Sequence, residues 1–482
     1  MLRDLIKEGG LYTLANLLTK GVSLLLIPFY SDYFTQAEYG ILAMLGIAGA
    51  LSAAVFSFQI YQGVGRFIAQ KDITLGEQQK IGSTGFWFTV LSYCCFLVLA
   101  IFFKDQIISL LSEDERINDS TYLWSLFAIA VNGCFYALSV QLKFLRKTKI
   151  YSVTTFFHAI LNIGFILLFA LGFNYRIDSV YMASVAVTPV LILVQIYFLK
   201  DYMIFYIGKI ELKKLTSFST PLIPAAIAYI ILNFTDRIFI KELSGSLAEV
   251  GIYDMAFKFS SIISLIILSF QSALAPIIYE QHQDADTQKS LGKIMRLFIG
   301  VGTIGGLCLA FFSYETLYIF TQPEYYDAYT LMPIFYLSVL VTGVGMFSPG
   351  LHVTNKTRII PIIVVITAIV NILLNLWLIP IFGLFGAALA TLASTIINNS
   401  TLFIISQKLY PIPYVRNSIL RVLVIFLIFF IAGSYFTSFF QVNYGYELLI
   451  KIGIIGFYIW FLLQIKFISL DQIKERLIRK DK

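Results

Sequence analysis

Charge is scarce in this 482-residue chain. Only 13% of its residues are Asp, Glu, Lys or Arg, about half the fraction usual in a soluble domain. That scarcity excludes a chain of water-soluble domains. Histidine is rarer still: His158, His282 and His352 stand far apart, so no local metal motif exists and no metal is expected. Cys94, Cys95, Cys134 and Cys308 all lie in apolar segments without metal-ligand spacing. They read as small buried hydrophobes, not as a disulfide framework. No G-x-x-x-x-G-K-[ST] phosphate loop is present, which argues against direct use of ATP, and no cofactor is expected. The basic prefix "MLRDLIKEGG" leads into a long apolar segment without a small-residue cleavage site, so that segment reads as a first span, not a removed leader.

What the chain has in abundance is hydrophobicity, 58% of residues with a mean hydropathy of +0.82, spread from end to end. A spanning helix needs about 20 mostly apolar residues. About fourteen such segments occur, centred roughly on residues 21, 51, 92, 132, 162, 189, 229, 266, 303, 341, 369, 394, 427 and 458. This is an all-α polytopic membrane protein. Pro28, Pro189, Pro221, Pro224, Pro276, Pro333 and Pro349 fall within these segments and predict bent helices.

The connecting loops alternate in charge. "RFIAQKD", "KFLRKTK", "KDYMIFYIGKIELKK", "NKTR", "QKLYPIPYVR" and "KERLIRKDK" are basic. "SDYFTQAEYG", "KDQIISLLSEDERIND", "KELSGSLAEVG" and "SYETLYIFTQPEYYD" are acidic or neutral. About 27 of the 35 Lys and Arg fall on the first side and about five on the other. The positive-inside rule then places both termini in the cytoplasm, as an even number of spans requires. The net charge of +7 is therefore a topology signal, and a nucleic-acid partner is not expected.

The two halves repeat. "AEYGILAM" at 37–44 matches "AEVGIYDM" at 248–255, an offset of 248 − 37 = 211. "SFQ" at 57 recurs at 269, and "KTKI" with "AILNI" (147, 159) recurs as "KTRI" with "AIVNI" (356, 368). Ordered matches near one offset argue for duplication. Each copy holds six spans, so both enter the membrane the same way. That predicts two parallel six-helix lobes with a binding site between them near the midplane. The expected division is 1–205 for spans one to six, 206–410 for seven to twelve, and 411–482 for two further spans and a basic tail.

"KGVSLLLIPFYSDYFTQAEYG", "GRFIAQ", "TDRIFIKELSGSLAEVGIYDMAFKF" and "IPIFGLFGAALATLAS" together resemble the polysaccharide transporters, or O-antigen-type flippases. These belong to the superfamily that also holds the multidrug and toxin extruders. The resemblance implies a V-shaped helix bundle in the cell membrane. It also implies movement of polyprenyl-pyrophosphate-linked oligosaccharide from the cytoplasmic to the outer leaflet. Such a protein is not an enzyme. Its expected partners are the lipid-linked substrate, membrane lipids and the polysaccharide polymerase or assembly proteins.

Few charges lie well within spans: Lys20, Asp236, Arg237, Asp254 and Lys258. Each costs about 2.5 to 3.5 kcal/mol at a helix centre and is a functional candidate by default. Asp236 and Arg237 are adjacent, hence about 100° apart on the helix, and are not expected to neutralise one another simply. Each needs water, another helix or a ligand, so both are candidates for a cationic cavity, or for a closed gate with Lys241 or Glu249. Lys20, Arg66, Arg237 and Lys258 are the candidate cations for a pyrophosphate. Arg66 and Arg296 also read as positive-inside anchors. Asp254 and Lys258, four apart, read as a structural pair. Asn162 and Asn371, equivalent in the repeat, read as helix cross-links or gate residues.

Two other readings compete. A drug–cation antiporter of the same fold needs carboxylates in its cavity, whereas the first span offers Lys20 and no mid-span acid. A membrane glycosyl polymerase needs a sizeable outer loop with catalytic residues, and the longest outer loop, about residues 104 to 120, is short and acidic. Movement would draw on an ion gradient, the membrane potential or product removal.

Overall fold

The computed structural model describes residues 21–22, 26–70, 73–111, 117–244, 246–265, 267–268, 270–271, 274, 278, 285–354, 356–414, 416–439, 444–465 and 467. Among these residues there are helices and connections and no strand. The first helices are α1 (Leu26–Tyr33), α2 (Gln36–Phe56), α3 (Ile60–Ile68), α4 (Leu75–Phe102), α5 (Lys104–Leu111) and α6 (Asp119–Phe144). Then come α7 (Thr148–Leu167), α8 (Asp178–Leu199), α9 (Lys209–Ser219), α10 (Ile223–Ser244) and α11 (Leu247–Ser261). The rest are α12 (Ala285–Phe311), α13 (Ser313–Phe320), α14 (Met332–Val344), α15 (Gly350–Val353), α16 (Ile359–Leu409), α17 (Arg416–Phe439) and α18 (Tyr444–Gln464).

Ten described helical segments are long and apolar enough to cross a bilayer. One of them, α16, has 51 residues, about 76 Å at 1.5 Å per residue. That is more than twice a hydrocarbon core of about 30 Å. Its backbone breaks at Gly383, where φ is 56° and ψ is −134°, a region open essentially to glycine alone. So α16 is two spans, the eleventh and twelfth expected. Each of the fourteen expected spans meets a described helix, with α1 and α11 carrying the described parts of the first and eighth.

Local chemistry starts several spans. Thr35 precedes α2 and its Oγ1 accepts from the Glu38 N–H at 3.3 Å, while the Glu38 carboxylate accepts from the Thr35 N–H at 2.9 Å. Thr74 and Glu77 form the same box before α4. Such caps satisfy otherwise orphaned donors and contribute about 1 kcal/mol each.

The second span is not continuous. Between α2 and α3, Phe58 and Gln59 take left-handed backbone angles, φ 49° and 51°, at a cost of about 1–2 kcal/mol per residue. Three bonds hold the break. Ser57 Oγ accepts from the Gln59 N–H at 3.1 Å, the Tyr61 hydroxyl donates to Gln59 Oε1 at 2.6 Å, and the Ser92 hydroxyl donates to the Phe56 carbonyl at 2.5 Å. The first copy of "SFQ", at 57–59, therefore marks a break in a helix.

The chain groups into two compact units, 1–254 with 364–387 and 255–363 with 388–482. In the first, α4, α6 and α8 pack around Phe86, Leu138, Leu142 and Leu199. In the second, a larger core joins Phe298, Leu307, Tyr336, Phe426, Tyr458 and Leu462. The two C-terminal spans, α17 and α18, are built into this core. Lys451 of α18 is buried and donates to Glu315 Oε1 at 2.6 Å and pairs with Glu447 Oε1 at 2.9 Å.

Candidate functional site

The two copies of the repeated A-E-x-G motif pack directly on each other. A Cβ on Gly40 would stand 2.0 Å from the Leu247 carbonyl oxygen, and one on Gly251 would stand 2.2 Å from the Gln36 carbonyl oxygen. Each glycine thus faces the carbonyl four residues before the other. Backbones meet this closely only where both helices lack a side chain, the role small residues play between membrane helices. Glu38, one turn from this crossing, accepts both guanidinium bonds of Arg176 at 2.5 Å. Arg176 also donates to the Tyr33 carbonyl at 3.0 Å. Its pKa, in the connection between spans five and six, is raised above the usual arginine value chiefly by the hydrogen bond to Glu38.

The charged pair of the seventh span lies beside this contact. Asp236 and Arg237 are 2% and 1% exposed. Arg237 donates from Nε and Nη2 to Asp254 Oδ1 of α11, at 3.1 and 3.0 Å, and from Nη1 to the Asn233 carbonyl at 3.0 Å. Nη1 also reaches Asp236 Oδ1 at 3.0 Å. This differs from the expectation for neighbours 100° apart: the long arginine arm folds back along the helix, so the fork meets both carboxylates. The Tyr253 hydroxyl donates to the other Asp236 oxygen. One guanidinium between two carboxylates, with donors on both Asp236 oxygens and on Asp254 Oδ1, is how a membrane interior tolerates buried charge.

A cavity of about 620 Å³ opens in the first unit. Its wall is made by α2, α3, α4, α6, α8 and α10. Small residues on α2 (Gly46, Gly49, Ala50, Ala53) leave the space, and Tyr61, Tyr93, Tyr136, Tyr181 and Tyr229 project into it with Gln59, Asn132 and Ser184. No charged side chain lines it among the described residues. Tyr61 and Tyr136 meet edge to face, ring centroids 5.0 Å apart, a favoured aromatic geometry. Gln271, aligned with Gln59 by the repeat, lines a second cavity of about 380 Å³ in the other unit, with His352 and Asn399.

The remaining sequence candidates are dispersed. Lys20 lies outside the described residues. Arg66 is exposed at the end of α3, its guanidinium 4.5 Å from the Phe218 ring centroid. Lys258 is half-buried, one turn after Asp254 on α11. Asn162 cross-links α7 to α8, accepting from the Ser184 hydroxyl at 3.0 Å. Asn371 is buried and accepts from Asn375 Nδ2 at Oδ1, 3.1 Å, and at its carbonyl, 3.0 Å. Arg296 stands over the Phe467 ring at 5.2 Å. Sequence reasoning missed the cavity tyrosines, Asn132 and Tyr253. Only Gln59 carried a signal, through the repeated "SFQ".

No curated protein matches this sequence. The fold is similar to a solved structure described as lipid II flippase MurJ in an inward closed conformation. That likeness has a TM-score of 0.74 and 16% identity, over 96% of this chain and 99% of that one. It is also similar to an inward-facing multidrug resistance MATE family transporter of the MOP superfamily, TM-score 0.66, 12% identity, over 81% and 94% of the two chains. A MOP superfamily transporter from Pyrococcus furiosus with a binding pocket of reversed polarity follows at TM-score 0.54, 12% identity, over 84% and 95%. The family described as MatE matches residues 221–377. The family described as polysaccharide biosynthesis protein matches residues 5–282, more than half of the chain, whose charged spans, break and cavity all fall largely within that match. The chain is a multi-pass membrane protein, and it belongs to the polysaccharide biosynthesis protein family.

Proposed function

We propose that this chain flips a polyprenyl-pyrophosphate-linked oligosaccharide from the cytoplasmic to the outer leaflet of the cell membrane, with both termini in the cytoplasm. The observation that carries the reading is the uncharged wall of the cavity: five tyrosines, two carboxamides and hydroxyls, and no carboxylate among the described residues. Sugars are bound by such surfaces, through hydrogen bonds to amide and hydroxyl groups and through stacking on aromatic rings. Tyrosine faces also attract organic cations, but burying such a charge calls for a carboxylate beside it, and this wall has none among the described residues. The volume, about 620 Å³, falls within the usual range of small-molecule sites, about 300–1,000 Å³.

In this reading Lys20 and Arg66 meet the pyrophosphate, a role that suits ammonium and guanidinium groups. Lobes 1–205 and 206–410 rock about the site, and the Gly40–Gly251 contact, with the Arg237 network beside it, closes the outer side. A drug–cation antiporter remains the competing reading, supported by the MatE match. Vesicles holding the purified chain separate the two: a flippase exposes lipid-linked sugar on the far leaflet, whereas an antiporter expels cationic dye.

A further inference from the structure

His158 stands at the middle of the fifth span, within α7. Its ring stacks on Phe135 of α6, centroids 4.5 Å apart with 16° between planes. Its Nε2 lies 3.0 Å from the Thr188 hydroxyl of α8 and 3.3 Å from Asn162 Nδ2. Thr188 in turn donates to Asn132 Oδ1 at 3.3 Å, and Asn132 lines the cavity. Among the described residues nothing bonds Nδ1, and no charged group from α6, α7 or α8 acts on the ring. The groups facing it are Phe135 and Asn132 from α6, Asn162 from α7, and Thr188 from α8.

These contacts cannot all be satisfied at once, because Thr188 has a single hydroxyl hydrogen. With a proton on Nε2, the ring donates to Thr188 Oγ1, and the Thr188 hydrogen goes to Asn132 Oδ1. With Nε2 bare, the ring can accept from Thr188, and Asn132 Oδ1 is then released to the cavity; when it accepts from Asn162 instead, the Thr188–Asn132 bond stays in place. A charged imidazolium carries hydrogen on both nitrogens and so enforces the first arrangement.

We propose that His158 is a proton-binding site of this transporter, and that a proton on its Nε2 and a ligand hydroxyl on Asn132 compete through Thr188. The ligand half rests on the reading that the cavity takes a sugar. Histidine takes up and releases a proton at its ring nitrogens, and an ionisable group at mid-membrane is functional by default. By linkage, the factor by which a proton weakens the sugar equals the factor by which the sugar weakens the proton. Such a pair drives exchange: a proton gradient empties the site on the acidic side.

The test uses the full chain in lipid nanodiscs with carbon-13 histidine, whose imidazole signals come from His158, His282 and His352 and are assigned with His158→Asn. The His158 signal should titrate reversibly. Thr188→Val should lower its proton affinity about tenfold, because the imidazolium N–H loses its acceptor, and Asn132→Ala should lower it in the same direction. Lipid-linked oligosaccharide extracted from the source cells is the binding probe. Its apparent Kd should rise about fivefold on lowering pH through that titration, and should not change in His158→Asn. A His158 signal that does not titrate, or that keeps its midpoint in both Thr188→Val and Asn132→Ala, overturns the proposal. So does a pH dependence of binding that survives in His158→Asn. If the extract binds no variant at any pH, the sugar reading falls, and the two midpoints alone decide whether the relay exists.

Discussion

Gly40 and Gly251 occupy the same place in two copies of one motif and leave no room for a side chain between them. A methyl group on either would stand within 2.2 Å of a backbone carbonyl oxygen of the opposite helix. Backbone has no alternative rotamer, so the helices must part to admit it. Gly40→Ala and Gly251→Ala should each destabilise the purified chain by about 1–3 kcal/mol. The double variant should lose less than the sum, because both changes break one contact. Thermal unfolding in detergent measures all three, and additive losses would show that the glycines act separately.

The Arg237 fork holds two carboxylates in a site where none of the three charges reaches water. Removing the arginine takes one buried counter-charge from both acids, so Arg237→Ala should destabilise by about 3–5 kcal/mol. Asp254→Asn should lose less, since an amide oxygen still accepts from Nη2 and Asp236 still balances the charge. Arg237→Lys should fall between them, for a single ammonium cannot serve Asp254, Asp236 and the Asn233 carbonyl with the same geometry. Equal losses in all three variants would mean that the network contributes packing alone.

How far the sequence reached depended on the range of each signal. Spans were legible because a bilayer demands about twenty apolar residues locally, whatever the tertiary fold. Even so, hydropathy placed the second span without revealing its break at Phe58 and Gln59, which rests on bonds from Tyr61 and Ser92. Asp236, Arg237 and Asp254 stood out by type alone, since charge in a span is costly. Their mutual pairing did not, because helical spacing describes Cβ directions and not where a long guanidinium arm ends. The five cavity tyrosines are drawn from 29 in the chain, and nothing in their spacing marks them. His158 looked isolated because Phe135 and Thr188 reach it from two other helices.

Topology is open to a direct check. In a background with Cys94, Cys95, Cys134 and Cys308 replaced by alanine, Asp105→Cys and Lys149→Cys place single thiols on exposed positions at opposite ends of the bundle. An impermeant maleimide added to intact cells should label Asp105→Cys, and Lys149→Cys only after permeabilisation. Labelling of both from one side would contradict the loop-charge assignment and with it the parallel repeat.

The central claim is that the cargo is a lipid-linked glycan that meets cations on its way through a neutral, tyrosine-lined cavity. Proteoliposomes holding the purified chain, loaded with lipid-linked oligosaccharide extracted from the source cells, test it most directly. Lectin accessibility then reports how much sugar reaches the far leaflet, and a parallel set measures efflux of a cationic dye. The account predicts sugar flipping without dye efflux. It predicts loss of flipping in Lys20→Ala and Lys20→Glu, partial activity in Lys20→Arg, and at least a tenfold loss, about 1.4 kcal/mol, when Tyr136→Ala and Asn132→Ala are combined. Dye efflux without sugar flipping, or normal flipping by Lys20→Ala together with the cavity double variant, would contradict it.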